Sequence, residues 1–154
     1  MTIRNMLNSK VLRKSLIEEV LKSNEKIKKY GLLLTVEDVN KIMETRNRAL
    51  QSYGRIELEI KVTKMMIEEF SDSCYIDNEN FVFILNELQD IFYYFKNETE
   101  DKISDIKLID ILKEYFENSC EGSIELLKSR LEVFAQEFRK KNQIKDSLDN
   151  GGVY

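Results

Sequence analysis

Histidine, proline and tryptophan are absent from the 154 residues, glycine occurs five times and cysteine twice. Each gap excludes something. Without histidine there is no Ser-His-Asp or Cys-His nucleophile, no His-containing zinc site and no Glu-x-x-His pair of the di-iron bundles. Cys74 and Cys120 are too far apart in sequence to form a zinc knuckle, and a calcium loop counted from Asp77 would place Phe81 and Phe83 at liganding positions. No metal and no cofactor is expected. Turn-forming residues are too few for a β-rich fold. A hydrophobic share of 42% beside 34% charged residues fits a soluble, mostly helical chain. At this length a single domain buries about two-thirds of its unfolded surface and needs no staple.

Long apolar runs are also missing, so neither a signal peptide nor a membrane span is expected. Two cysteines without a secretory leader point to a reducing, cytoplasmic setting. The net charge of -4 argues against a general nucleic-acid surface, since phosphate binding rests on clustered Lys and Arg. The charge is uneven, however. Residues 1–30 hold eight Lys/Arg against three Glu, and residues 66–101 hold ten acids against Lys96. Such blocks are either solvated helix faces or a source of attraction to a partner.

What is present is helical periodicity. Start and stop signals predict about six antiparallel helices in an all-α fold. The first runs from Ser9 to Tyr30 and stops at Gly31; the second is capped by Thr35 and stops at Gly54. The third covers Ile56 to Ser73. The fourth follows Asp77 to about Asn97, with Phe81, Ile84, Leu85, Leu88, Ile91, Phe92 and Phe95 at three-and-four spacing. The fifth follows Ser104 and ends near Cys120, and the sixth follows Ser123 with Leu127, Leu131, Phe134 and Phe138 on one stripe. Residues 1–142 then form one domain and 143–154 a loose tail. The segment RIELEIKV from Arg55 alternates like a half-buried strand, yet no second strand-like run exists to pair with it, so helix is expected there too.

A shift of 46 residues lays EEFSDSC (68–74) over EYFENSC (114–120), with Phe70 on Phe116 and Cys74 on Cys120. A shift of 42 lays Thr35 over Asp77. The chain therefore reads either as three helical hairpins of a short α-solenoid-like repeat or as a six-helix bundle of unrelated hairpins. Both cysteines would then be small buried hydrophobes closing turns.

Two features stand out as candidate binding residues. Arg46 lies within the apolar arc of the second helix, and a buried guanidinium needs a carboxylate, a ligand anion or a route to water. The back of the fourth helix aligns Phe83, Glu87, Asp90, Tyr93 and Tyr94, which suits a protein-binding groove or a helix buried on both sides. Carboxylate pairs one turn apart, such as Glu87/Asp90, are expected by chance in a chain with 28 acids. No catalytic residue is assigned.

RNRALQSYGRIELEI (46–60), LNELQDIFYYFKNETED (85–101) and LIDILKEYFENSCEGSIELL (108–127) together resemble a family of small proteins of unknown function from clostridia-like bacteria. The resemblance spans most of residues 35–140. It implies a bacterial cytoplasmic protein and supplies no activity, ligand or catalytic residue. The expected function is a protein-protein interaction or scaffold module, with a protein partner or a homo-oligomer. A small-molecule or metal-dependent enzyme using Arg46 with carboxylates of the fourth helix is the alternative. Weak nucleic-acid binding through Arg13, Lys14, Lys22, Lys26, Lys28 and Lys29 is the third.

Overall fold

The computed structural model describes residues 3–151, with side chains described over 10–145. It is all helical, and among the described residues there is no strand. The helices are α1 (Ile3–Leu21), the single turn α2 (Asn24–Ile27), α3 (Val36–Ser52), α4 (Lys61–Phe70), α5 (Phe81–Glu98), α6 (Asp105–Glu114) and α7 (Ile124–Gly151). The chain gathers into two compact units, residues 1–93 and 94–154, with the boundary inside α5.

In the first unit, the predicted long first helix is interrupted. The side-chain amide of Asn24 pairs with the main chain of Leu34, donating to its carbonyl at 2.9 Å and accepting from its N–H at 2.8 Å. Asn competes in this way with helical hydrogen bonding, and the helix breaks at Lys22–Ser23. A 3₁₀ turn over Lys28–Tyr30 then closes on Gly31, whose φ of 78° is the left-handed geometry that favours glycine. Thr35 caps α3: its hydroxyl accepts from the Asp38 N–H and the Asp38 carboxylate accepts from the Thr35 N–H. The other end of α3 is a Schellman motif, with Gly54 at φ 63°, Gly54 N–H on Gln51 O and Arg55 N–H on Leu50 O.

Residues 55–60 are not helical. The third predicted helix therefore begins five residues late, and Ile56, placed on its buried stripe, is 88% exposed. The buried face of α4 is Val62, Thr63, Met66, Ile67 and Phe70. From α5, Phe81, Leu85, Leu88 and Phe92 are buried as well. One polar link lies among them: Thr63 donates to Gln89 Oε1 at 2.7 Å, and Gln89 Nε2 donates to Ile42 O.

In the second unit, Lys96 is buried and donates to Ile103 O and to Asp105 Oδ1 at 2.8 Å. A lysine placed there needs both acceptors. Ser104 caps α6 and Ser123 caps α7 through the N–H groups of Lys107 and Leu126. The chain leaves α6 through a wide π turn over Tyr115–Ser119. Glu121 and Gly122 follow in left-handed conformations, and the Gly122 N–H bonds Phe116 O at 2.7 Å. Cys120 is buried at this turn, as expected, whereas Cys74 is exposed. Along α7, Leu127, Leu131 and Ala135 are buried, and the Phe134 and Phe138 rings stack with centroids 6.2 Å apart.

Helix α7 continues past Gln143, where the sequence reading starts a loose tail. Arg139, Lys140, Lys141 and Gln143 are straight-chain residues of high helix propensity, so the helix persists without an apolar stripe. Residues 152–154 of that tail lie outside the described residues.

Candidate interaction surface

Arg46 sits on α3 and is only 3% exposed. Its partners are two main-chain carbonyls and a neighbouring amide, not an acid of α5. Nη2 donates to the main-chain carbonyls of Glu57 at 2.8 Å and Glu59 at 3.0 Å, and Nη1 donates to Asn47 Oδ1 at 3.3 Å. These two carbonyls are open to the guanidinium because residues 55–60 are not helical. In a helix they would be committed to N–H groups one turn on. The missed loop and the missed partner are one observation.

The same loop is fastened a second time. Tyr93 is 0% exposed, and its hydroxyl donates to Glu57 Oε2 at 2.6 Å. Tyr93 therefore belongs to the interior and not to an outer aromatic line. The other predicted members of that line divide by exposure: Phe83 is 64% exposed and Asp90 exposed, while Glu87 and Tyr94 are half-buried, Tyr94 edge-on to Phe95 with centroids 4.8 Å apart. Phe83 and Asp90, seven residues apart, lie on one exposed side of the helix.

Held by Arg46 and Tyr93, the loop turns two large apolar side chains outward: Ile56, 88% exposed, and Leu58, 72% exposed. Sequence reasoning missed both residues. The strand-like alternation of RIELEIKV did not signal their exposure, since it sets Ile56, Leu58 and Ile60 on one face, of which Ile60 alone is buried. Ile56 borders a shallow depression of ≈ 470 Å³ that also contains Arg46, Leu50, Arg55 and Glu57. The carboxylates of α5 do not line it, contrary to the arrangement an Arg46-based enzyme was expected to use. Leu58 borders a second cleft, of ≈ 530 Å³, lined by Leu12 and Leu16 of α1 and by Lys64, Met65 and Glu68 of α4.

Of the six basic residues named on the predicted first helix, three pair with acids, while Arg13 reaches Asn40 and Lys29 lies over the Tyr30 ring. Lys22 pairs with Glu19 at 3.0 Å, Lys28 with Glu25 at 2.8 Å and Lys26 with Glu68 at 3.4 Å. Lys64 also reaches Glu19 at 2.9 Å. The hydrogen bond from Lys64, then that from Lys22, holds the Glu19 carboxyl below its usual range; Lys28 does the same to Glu25. Among the described residues no group of three or more Cys, Asp or Glu is placed to hold a metal ion, and no helix is long and apolar enough to cross a membrane.

A family of unknown function, DUF6323, has a model that matches residues 19–144. The chain belongs to this family. The DUF6323 match contains Arg46, the loop at 55–60, Tyr93 and the π turn before Cys120. No curated protein and no solved structure matches the chain.

Proposed function

We propose that the protein is a protein-protein interaction module and that the loop at 55–60 is its contact element. One observation carries this reading: two large apolar side chains point into solvent from a backbone fastened by a buried guanidinium and a buried tyrosine. A loop left to itself would turn Ile56 and Leu58 inward, because each exposed side chain of that size forgoes about 1.5–3 kcal/mol of burial. Rigid display of apolar groups lowers the ordering cost of association and supplies the anchors on which interfaces depend. The Glu57 and Glu59 side chains beside them supply a polar rim. Composition and the resemblance to proteins of clostridia-like bacteria support a bacterial, cytoplasmic setting.

Photo-crosslinking tests the reading. A photoreactive residue at position 56, and separately at 58, is expected to give discrete protein adducts in a native cell extract. The same residue at exposed Arg130 on α7 is the control. Adducts of equal yield and pattern from 130 would overturn the loop's role.

A further inference from the structure

We propose that the partner is a second copy of this chain, docked by a two-fold contact between Leu58 and the cleft beside it; this rests on the interaction reading above and names its partner. The cleft measures ≈ 530 Å³, with Leu16, Ile60 and Met65 in its lining and Leu58 on its lip. A two-fold contact uses the same patch on both partners, so the patch must carry both a projection and a hollow. Leu58, 72% exposed, is the projection, and the cleft next to it is the hollow. After a half-turn, each copy's Leu58 meets the other's cleft, and burying it there removes two large exposed leucines from water in one event.

Charge on the rim selects this occupant. Lys61 and Lys64 line the cleft together with Glu19, Glu59 and Glu68. Both signs are interleaved over a short distance, and Glu59 and Lys61 stand two residues apart with their charged atoms at 3.3 Å. A polyanion would meet the glutamates, and a strongly basic peptide would meet the lysines. A second copy sets glutamates against lysines and lysines against glutamates, which is the self-complementarity a two-fold interface requires. Glu59 and Lys61 are both mostly exposed, so changing them leaves the interior intact.

The test is the mass of the full chain in solution. Sedimentation equilibrium from low to high micromolar concentration is expected to show reversible dimerisation of the 18.3 kDa chain. Leu58→Asp removes the same hot spot from both copies and is expected to weaken the dimer about 1000-fold, with an unchanged far-ultraviolet spectrum and, at concentrations where the chain is monomeric, an unchanged melting curve. A charge swap adds an independent arm. Lys61→Glu makes the lip acidic and Glu59→Lys makes it basic, so each variant repels itself. Mixed, the two are expected to form a heterodimer tighter than either homodimer. A chain that stays monomeric, a dimer indifferent to Leu58→Asp, or an equimolar mixture that shows no preferred heterodimer would each overturn the proposal. If the chain is monomeric yet positions 56 and 58 crosslink to a different protein, the interaction module stands and self-association alone falls.

Discussion

Arg46 is the residue on which the candidate surface depends, and its energetics can be bounded. Its guanidinium is desolvated, and two main-chain carbonyls of the loop accept from the same nitrogen. Bonds to a charged donor contribute about 1.5–3 kcal/mol each, and a buried acceptor left unpaired costs about 1–3 kcal/mol. Leucine in its place regains some apolar burial but bonds neither carbonyl. Arg46→Leu is therefore expected to destabilise the protein by about 2–3 kcal/mol in urea unfolding and to speed hydrogen exchange over residues 56–60. Arg46→Lys is expected to recover less than half of that loss, because an ammonium on a flexible stem does not hold two acceptors in a fixed fork. A gain in stability for Arg46→Leu would show that the guanidinium is kept for a ligand and not for the loop. That Arg46 is buried and needs partners was legible from the apolar arc around it. The identity of the partners was not, because main-chain carbonyls leave no mark in a sequence.

At the scale of elements, Cys120 and its near-copy Cys74 show how far a repeat extends. Under the 46-residue shift, Val62 and Leu108, Phe70 and Phe116, Phe81 and Leu127, and Leu85 and Leu131 are buried pair by pair. Ile60 is buried while Ile106 is exposed, and Cys74 is exposed while Cys120 is not. The two cysteines part because their turns differ. The π turn at Tyr115–Ser119 carries Cys120 inward before Glu121 and Gly122 reverse the chain. An alkylating reagent at neutral pH is accordingly expected to modify Cys74 rapidly and Cys120 only on unfolding, read by the mass of the intact protein. Rapid double labelling would contradict the buried turn. Caps were the most legible elements: Thr35, Ser104, Ser123, Gly31 and Gly54 all stand where hydroxyl and glycine chemistry puts them. The failures lie where a side chain far along the sequence overrides local preference. The Asn24 side chain turns to the main chain of Leu34 where the first helix breaks, and Arg46 takes the carbonyls of a segment that reads equally as strand or helix.

At the scale of the whole molecule, Glu19 makes stability depend on acid. Glu19 titrates below its usual value because Lys64 and Lys22 stabilise its ionised form. A depressed folded value means that the unfolded chain binds this proton more readily. The contribution of Glu19 to stability is thus fully present above the unfolded value of 4.5 and is lost as pH falls through the lower folded value. Lys64→Met is expected to move the Glu19 carboxyl resonance in a carbon-detected titration back toward the ordinary range, and to flatten the pH dependence of unfolding below 4.5. Lys22 remains as a second partner, so the return is incomplete. An unchanged titration would remove Lys64 as the principal cause. The whole-chain charge asymmetry was legible from residue counts, whereas its pairing was not, since Lys26 and Lys64 reach acids more than forty positions away.

The fastening of the 55–60 loop bears on how freely its sequence can change. Arg46 grips carbonyl oxygens, which every amino acid carries, so nothing in that grip depends on which side chains occupy 56 and 58. Those two positions can be rewritten while the backbone beneath them keeps its path. On the proposed reading the loop is a socket for interchangeable contact residues, and a library varied only at Ile56 and Leu58 is expected to change crosslinking partners while keeping the melting curve of the parent chain.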